Sequence, residues 1–506
     1  MLGAYKLQHR MISKPSSAMG ARRLRTVLVA TAVIIFLVHW SFYRSSLRPL
    51  VTQKLVNGKT NASVCPQSPL LGDVLVVLRT GATEAREKLP VHFNTVLNCI
   101  PDYVIYSDFE EDIAGHHLHD VLAGDAVDEK IRQSNPDFKL YNQLRASGRD
   151  GLNYQTLFGS GWNGATDNPG WKLDKWKFMP MVDRALRHRP NAKWFVFVEG
   201  DTYLVWQNML EWLAKFDSSQ PHYLGKHMYI GHVLFGHGGS GFALSNPAMQ
   251  KVTQRWKQDK AAIEAYTEQE WAGDMVLGKV IKDAGIDMFW GFPHLQGDSP
   301  TTMDWNVSKL EREPWCYAPV TFHHVNSVEY EALWAFEQQW LRDHPQSPGI
   351  SSPRFRDLFK GVILPQLRER RDSWDNMAFG TEYSTELLAE LSDGNRNTLS
   401  LAERQALISF EHCRKACESQ PDCIQFSYSQ GRCATSKELR LGHAANSPCQ
   451  EYSNAAAKCL KPSALRGNSL GSSPDFIQAG WIMDRVAKYI ERLDNSCGHV
   501  EKDWLS

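Results

Sequence analysis

The segment Lys193-Trp-Phe-Val-Phe-Val-Glu-Gly-Asp-Thr-Tyr203 joins an apolar strand to an acidic turn. Five consecutive apolar residues, 194–198, are typical of a strand that is covered on both faces of a sheet. The run stops at Glu199-Gly200-Asp201, where one glycine separates two carboxylates. Carboxylate oxygens are ligands that hard divalent cations prefer, so the turn is a candidate metal site. Acid-x-acid tripeptides are common, however, and the tripeptide alone favours an ordinary solvated turn.

Two upstream runs predict further buried strands with polar residues at their ends. Residues 73–78 precede Thr80, and residues 103–106 precede Asp108. Helical character over 84–99, and again after the acidic turn, gives the alternation of strands and helices that is typical of an α/β sheet. Ligands bind beyond the C-terminal ends of such strands. We therefore expect Thr80, Asp108 and the acidic turn to meet at one cleft.

The composition excludes some classes of protein. The chain has 506 residues, with 56 Lys+Arg against 56 Asp+Glu, so bulk charge gives no basis for nucleic-acid binding. A 42% hydrophobic content with 17 Trp supplies enough core for at least two domains and excludes a mainly disordered chain. Most of the 10 cysteines follow Arg404, which predicts a separate cross-linked module.

The N-terminal residues predict a membrane anchor. Residues 1–25 carry basic residues and no acid, and residues 26–43 form an apolar run without a formal charge. Eighteen helical residues reach roughly 27 Å, which is enough for a thin bilayer. We expect a type II signal anchor with a cytosolic tail (1–25), a span (26–43) and a stem (44–70). A cleaved signal peptide is the alternative, but no clean small-x-small cleavage site follows the run.

Two features favour a lumenal location for the rest of the chain, in the Golgi or endoplasmic reticulum. Asn61 and Asn306 each begin a glycosylation sequon, and the even number of cysteines suits an oxidising compartment.

The C-terminal part divides into three segments by composition. Residues 346–404 are rich in Pro, Ser, Arg and Asp, and we expect them to wrap the preceding domain or link it onward. Residues 405–460 are dense in cysteine and lack histidines at zinc-site spacing, so disulfides of open connectivity are favoured. The segment 461–506 follows, and its apolar spacing predicts a helix over 476–493.

Three further motifs follow the acidic turn along the chain. They are Phe235-Gly-His-Gly-Gly-Ser-Gly-Phe-Ala-Leu-Ser245, Glu268-Gln-Glu-Trp-Ala-Gly-Asp-Met-Val-Leu-Gly278 and Thr321-Phe-His-His-Val325. In their order and spacing, the four motifs resemble the family 31 inverting glycosyltransferases, most closely the core 1 β1,3-galactosyltransferase-like and fringe-like branches.

The resemblance implies a fold and an activity for the chain. The fold is a GT-A-like mixed sheet flanked by helices over 71–345. The implied activity is Mn²⁺-dependent, inverting transfer of a sugar from a UDP-sugar to a glycan or glycoprotein acceptor. The expected sugar is galactose in β1,3 linkage. The segment 405–460 resembles a PAN/apple domain, a module that binds protein or carbohydrate.

The resemblance also assigns roles to individual residues. Asp201 and His323 match the metal ligands of the family. The adjacent His324 is the alternative match for the histidine. Glu199 is a further carboxylate, although the family has two acids where this chain has Glu199-Gly200. Asp274 matches the catalytic base that inversion requires, whereas without the resemblance a helix-capping role is favoured.

The donor-site residues implied by the resemblance lie in three places. Gly239 and Ser240 belong to the glycine-rich loop that lines the cleft. Lys175 matches a lysine near the nucleotide, with Asp174 a weaker candidate. Thr80 and Asp108 match positions near the uridine.

Trp290, Phe292 and Trp305 are candidates for a sugar-stacking wall.

Two other functions compete with this interpretation. A serine hydrolase is suggested by His237-Gly-Gly-Ser240 and by Ser469 in a G-x-S-x-G match, but Ser469 lacks the strand and helix of a nucleophile elbow. The stronger alternative is a catalytically inactive carbohydrate-binding or chaperone-like protein on a glycosyltransferase fold, because Glu199-Gly200 replaces two acids.

Overall fold

The computed structural model describes residues 63–152, 169–345, 352–390, 398–445, 477–497 and 504–505. These residues belong to one compact unit, Ser63–Ser506. The predicted tail, membrane span and most of the stem, together with Asn61, Cys449, Cys459 and Ser469, lie outside the described residues. Within the described ranges, no helix combines the length and apolar character that crossing a membrane requires.

The described strands are β1 Val74–Arg79, β2 Tyr103–Ser107, β3 Glu111–Ile113, β4 His116–Asp120, β5 Trp194–Glu199, β6 Tyr203–Leu204, β7 Tyr223–Gly225, β8 His227–Ile230, β9 Val233–Gly236, β10 Phe242–Ser245, β11 Met288–Trp290, β12 Thr321–Phe322, β13 Arg371–Asp372, β14 Trp374–Asp375, β15 Thr381–Ser384, β16 Gln425–Ser429, β17 Arg432–Ser436, β18 His443–Ala444 and β19 Gln478–Trp481.

The described helices are α1 Ala85–Phe93, α2 Glu129–Ser134, α3 Lys139–Ser147, α4 Pro169–His188, α5 Trp206–Leu213, α6 Asn246–Gln258, α7 Lys260–Gln269, α8 Gly273–Asp283, α9 Ser327–Asp343, α10 Phe355–Leu358, α11 Thr385–Glu390, α12 Leu401–Arg404, α13 Phe410–Glu418 and α14 Met483–Ser496.

The central sheet is mixed, as predicted for an α/β fold. Its eight strands follow the order β11-β7-β10-β5-β1-β2-β4-β3. Strand β1 pairs in parallel with both β2 and β5, whereas β10 runs antiparallel to β5. The C-terminal ends of β1, β2 and β5 therefore open at one edge of the sheet.

The continuous apolar run of β1 reflects burial on both faces of the sheet. Val74, Val76 and Leu78 belong to one hydrophobic cluster, whereas Leu75 and Val77 belong to the cluster on the other face. Successive side chains of a strand point to opposite faces, so a doubly covered strand needs apolar residues at every position. Helix α4 packs in the cluster of Leu75 and α5 in that of Val74.

A short ladder joins the acidic turn to a distant part of the chain. Strand β6, directly after the turn, pairs antiparallel with β12, with Tyr203 opposite Phe322. The amide of Val325 also donates to the carbonyl of Asp201 at 2.9 Å. These bonds fix residues 323 and 324 beside the turn.

The C-terminal part contains a five-stranded sheet in the order β13-β19-β16-β17-β15. Two disulfides, Cys413–Cys433 and Cys417–Cys423, cross-link this region, and Cys316–Cys497 and Cys65–Cys99 complete the described set. For the four described cysteines of residues 405–460, the preference for disulfides over a zinc site is thus confirmed.

The C-terminal strands and helices share a core with the central sheet. Trp481 and Val486 belong to the same hydrophobic cluster as Val74, and so do Phe355 and Ile363 from the segment that was expected to wrap or link. The predicted helix over 476–493 was wrong in its first part, because residues 478–481 form β19 and pair with β16. The helix begins only at Met483.

Candidate active site

The acidic turn lies beside two histidines from the segment after β12. The Nε2 atom of His323 is 3.3 Å from Oδ1 of Asp201 and 4.0 Å from Oε2 of Glu199, and Nδ1 of His324 is 3.9 Å from Oδ2 of Asp201. Ligand atoms of Asp201, His323 and His324 all lie within 4.8 Å of one another. We call these three residues the buried cluster, since Asp201 is 9% and His323 6% exposed.

The surroundings keep the buried cluster ready to bind a cation. Burial alone raises the pKa of Asp201, but Lys88 and His323 outweigh this effect and hold that pKa well below 3.8. Burial and the neighbouring His323 lower the pKa of His324 to about 3. Asp201 is therefore an ionised carboxylate and His324 a neutral imidazole, which are the protonation states that metal ligands need.

Two structural observations indicate that a divalent metal fits these residues. Among the described residues, Oδ1 of Asp201 and Nδ1 of His323 are buried without a hydrogen-bond partner, although Nε2 of His323 lies 3.3 Å from that oxygen. Gly239 also leaves no side chain over the cluster, since a Cβ there would lie 2.1 Å from Cε1 of His323. An orphaned buried carboxylate oxygen is costly unless a cation or a proton satisfies it.

Cationic side chains surround the acidic turn. The ammonium of Lys88 lies 3.1 Å from Asp201 and 2.8 Å from Glu84. Arg79, the last residue of β1, pairs with Glu199 and, at 3.1 Å, with Asp174. Glu199 is therefore committed mainly to Arg79, whereas the carboxylate of Asp201 faces the histidines.

The glycine-rich loop is fastened to both sides of the buried cluster. The hydroxyl of Thr202 donates to the carbonyl of Gly239 at 2.7 Å, and the hydroxyl of Thr321 donates to the carbonyl of Ser240 at 2.6 Å. The side chain of Ser240 lies 2.8 Å from Nδ1 of His237. Gly239 and Ser240 thus contribute backbone to the site, while the Ser240 hydroxyl is engaged within its own loop.

Asp274 lies on the other side of the same loop, at the N-terminus of α8. Its Oδ2 accepts from the amide of Gly238 at 2.8 Å, and its Oδ1 accepts from the amide of Met275 at 2.9 Å. Burial, aided by the charge of Glu199, raises the pKa of Asp274 from 3.8 to about 6, against the opposing effect of these hydrogen bonds. A carboxylate with such a pKa is ionised at neutral pH and can still accept a proton efficiently.

The polar residues at the ends of β1 and β2 meet at a buried lysine, Lys177. Its ammonium donates to the carbonyl of Thr80 at 2.9 Å and pairs with Asp108 at 3.1 Å and with Asp174 at 2.7 Å. Because Asp174 also pairs with Arg79, these contacts connect the ends of β1 and β2 to the acidic turn. Thr80, Asp108 and the turn are thus brought together, but the side chains of Thr80 and Asp108 are buried, and their place in a ligand cleft stays a prediction.

Lys175 does not join that network. Its ammonium lies 2.9 Å from Asp137 and donates to the carbonyls of Glu268 and Glu270 at 3.3 and 3.0 Å. The sequence did not single out Arg79, Lys88 or Lys177. Arg79 directly precedes the candidate Thr80 in the sequence. Lys175 and Lys177 lie on different sides of α4, and which side faces the ends of β1 and β2 depends on how that helix packs.

Two of the three residues predicted to form a sugar-stacking wall are too buried to contact a sugar. Phe292 and Trp305 are each only 3% exposed and belong to the core. Trp290 instead stacks on His227, with ring centroids 4.5 Å apart. At the second sequon, the side-chain amide of Asn306 donates to the carbonyl of Lys437 at 2.9 Å.

The site thus combines a carboxylate turn at the C-terminal ends of parallel strands in a mixed sheet with a separate, half-buried carboxylate of raised pKa. Residues 71–291 match the family described as Fringe-like. This match indicates glycosyltransferase activity in general, in a family that is typically Golgi-lumenal and generally dependent on a divalent metal. The matched range includes the acidic turn, the glycine-rich loop and Asp274 but ends before His323. The pairing of β6 with β12 brings the two histidines to the site.

Proposed function

We propose that this protein is an inverting glycosyltransferase that transfers a sugar from a UDP-sugar donor to a glycan or glycoprotein acceptor. The observation that carries the proposal is the buried cluster, in which one Asp201 oxygen has no hydrogen bond, separated from Asp274 only by the glycine-rich loop. The buried cluster can bind a cation, and Asp274 can accept a proton. A single displacement requires both functions.

Asp201 and His323 are the proposed metal ligands, and His324 or Glu199 could complete the set. Mn²⁺ suits the carboxylate oxygens of this set. When bound, the cation would neutralise charge on the departing diphosphate. The cationic groups of Arg79 and Lys88 add positive charge at the same edge of the sheet.

Asp274 is the proposed catalytic base. The acceptor hydroxyl oxygen forms a bond to the anomeric carbon as the bond from that carbon to the UDP oxygen breaks, and the hydroxyl proton passes to the Asp274 carboxylate. The two backbone amides that bond to Asp274 hold this carboxylate in a fixed orientation. Thr80, Asp108, Gly239 and Ser240 are proposed to line the donor site, with Lys177 rather than Lys175 as the lysine nearest to it.

The proposal extends to the rest of the chain. Residues 26–43 would anchor the protein in the Golgi membrane, with residues 71–345 as the lumenal catalytic domain, and the four disulfides suit that compartment. Residues 405–460 would form an apple-like module that holds acceptors. Galactose in β1,3 linkage is the proposed product, and Asn61 and Asn306 are the proposed glycosylation sites.

An inactive carbohydrate-binding protein is the second candidate. The pairing of Glu199 with Arg79 favours it, because this pair leaves Asp201 as the one carboxylate of the turn that faces the histidines.

The two candidates differ in UDP release. The purified protein would be incubated with UDP-galactose, UDP-glucose, UDP-N-acetylglucosamine and UDP-N-acetylgalactosamine, each with Mn²⁺, with and without a panel of methyl glycosides. We expect Mn²⁺-dependent UDP release from one donor, accelerated by an acceptor and lost in Asp201→Ala. Absence of release from every donor, in protein that unfolds cooperatively on heating, would favour the inactive binding protein.

A further inference from the structure

Two tryptophans form a stacked aromatic pair beside the catalytic region, in which Trp271 is exposed and Trp171 is half-buried. Trp171 lies in the first turn of α4, and Trp271 lies in the connection between α7 and α8. Their ring centroids are 5.8 Å apart and their planes differ by 19°, which is an offset stack. Trp271 is 53% exposed, whereas the largest aromatic side chains of the chain are mostly buried. The stacked indoles thus present an aromatic face to solvent at Trp271.

The pair is close to Asp274. Only Ala272 and Gly273 separate Trp271 from Asp274 in the chain. Three consecutive peptide units span at most about 11 Å between Cα atoms, so an acceptor hydroxyl at Asp274 would place its own or the next sugar ring within reach of the indole. Trp171 is on the same helix as Asp174, which pairs with Arg79 at the acidic turn.

The contacts of Lys175 hold both tryptophans in place. Lys175 follows Trp171 by one turn of α4, and its ammonium donates to the carbonyl of Glu270, directly before Trp271. Gly273 packs so tightly on α4 that a Cβ there would lie 2.5 Å from Cα of Lys175. The two backbones that carry the indoles are therefore fastened together before any ligand binds, which lowers the entropic cost of binding.

The chemistry of this surface favours a sugar over a protein partner. Two indole rings offer far less apolar area than a stable protein interface buries. Glu270 lies in the same connection, and its carboxylate oxygens can accept hydrogen bonds from hydroxyl groups. An aromatic face beside polar acceptors matches a pyranose ring, which has an apolar face of C–H groups and a polar rim.

We propose that Trp171 and Trp271 form a stacking subsite for a pyranose ring of the acceptor glycan. The proposal rests on the function proposed above and assigns the acceptor, rather than the donor, to this side of Asp274. Lys175 is then a positioning residue that orders the subsite and does not touch the nucleotide.

Steady-state kinetics of Trp271→Ala, Trp171→Ala and Trp271→Tyr would test the subsite. We expect the two alanine variants to raise the KM for the most active methyl glycoside by about ten-fold, with donor hydrolysis in the absence of acceptor unchanged. Trp271→Tyr should recover most of the loss because it retains an aromatic face. Phe379→Ala is the matched control, since Phe379 is also an exposed aromatic side chain, at 40%, but lies in the C-terminal part.

The kinetic result separates this proposal from the proposed function. Wild-type protein that releases no UDP from any donor contradicts the enzyme itself. Active protein whose acceptor KM changes less than two-fold in both alanine variants contradicts the subsite alone. Titration of the intrinsic tryptophan fluorescence with the same methyl glycosides gives a second measure in either case. We expect saturable binding that is lost in Trp271→Ala, and equal binding by that variant, or none by the wild type, would overturn the proposal.

Discussion

Two clusters of histidine and carboxylate side chains in this protein have similar composition and opposite surroundings. Besides the buried cluster, Glu110, His117 and His119 also bring their ligand atoms within 4.8 Å of one another. We call this second group the exposed cluster. It lies on and beside the β3–β4 hairpin at the edge of the central sheet, where its side chains are between 40% and 54% exposed.

The clusters differ in how their polar atoms are satisfied. In the exposed cluster, His117 is 2.7 Å from Glu110 and 2.9 Å from Asp112, and hydrogen bonds to these carboxylates raise its pKa. In the buried cluster, Oδ1 of Asp201 has no hydrogen-bond partner among the described residues. Similar ligand atoms therefore form hydrogen-bonded ion pairs at the surface in one place, whereas in the other a buried Asp201 oxygen contacts His323 without a hydrogen bond.

The clusters also differ in how the fold assembles them. Glu110 and His119 are close in sequence and meet within a single hairpin, which needs little tertiary structure. Asp201 and His323 are far apart in sequence and meet only because β6 pairs with β12. Convergence that depends on the whole fold, combined with an orphaned buried atom, distinguishes a candidate site from a chance grouping.

Removing the carboxylate of the buried cluster should have the largest effect. We expect Asp201→Ala to lower the rate of sugar transfer by about three orders of magnitude, because the loss removes both a cation ligand and the partner of Lys88. Glu110→Ala is the matched control in the exposed cluster and should change the rate less than two-fold. Equal losses in both variants would remove the distinction between the clusters.

Asp274→Asn should lower transfer by about 10²- to 10⁴-fold while UDP binding with Mn²⁺ is retained. The amide keeps the size of the carboxyl group but cannot accept the acceptor proton. Parallel measurements of transfer and of UDP affinity check this expectation. A variant that transfers sugar at the wild-type rate would exclude Asp274 as the base.

The pH dependence of transfer should follow the protonation of Asp274. Its pKa is raised to about 6, so the carboxyl holds a proton below that pH and cannot accept another. We expect the transfer rate at saturating donor to be constant near pH 7 and to fall toward ten-fold per pH unit below about pH 6. A flat profile between pH 5 and 7 would contradict the assigned role.

Gly239→Ala should have a smaller effect, on the metal rather than on the base. The added Cβ would lie 2.1 Å from the ring of His323, so the ring must shift. We expect Mn²⁺ affinity, measured by titrating metal-dependent UDP binding, to fall about 10- to 100-fold. Gly72→Ala is the control, because a Cβ at Gly72 meets nothing within 4 Å. Unchanged metal affinity in Gly239→Ala would separate His323 from the metal.

The smallest effect is expected in the exposed cluster. His117→Ala removes a solvent-exposed ion pair, and such pairs contribute little to stability. We expect the free energy of unfolding, measured in urea, to change by less than about 0.5 kcal/mol, with Mn²⁺-dependent UDP binding intact. A larger loss of either quantity would give the exposed cluster a role that its surroundings do not suggest.

The sequence predicted the parts of the site that depend on chain-local patterns. The doubly buried run of β5 and the acidic turn after it could be identified because a short, unbroken apolar stretch that ends in polar residues is typical of a central strand. The side that a helix presents was harder to predict. Lys175 and Lys177 are both lysines of α4, yet only Lys177 faces the ends of β1 and β2, and this depends on how α4 packs.

Long-range pairing was beyond sequence reasoning. The partners of Cys65 and Cys316 follow from packing, because spacing alone allows many connectivities. Residues 478–481 illustrate the same limit. Their short apolar pattern is compatible with helix or strand, and pairing with β16 decides for the strand.

The central claim is that the buried cluster, and not the exposed one, is the metal-dependent nucleotide site. Thermal unfolding of the wild type, Asp201→Ala and Glu110→Ala, each with UDP in the presence and absence of Mn²⁺, tests it most directly, because a ligand of the native state raises the apparent Tm. We predict that UDP stabilises the wild type and Glu110→Ala only with Mn²⁺ and does not stabilise Asp201→Ala. An undiminished Mn²⁺-dependent shift in Asp201→Ala would contradict the claim.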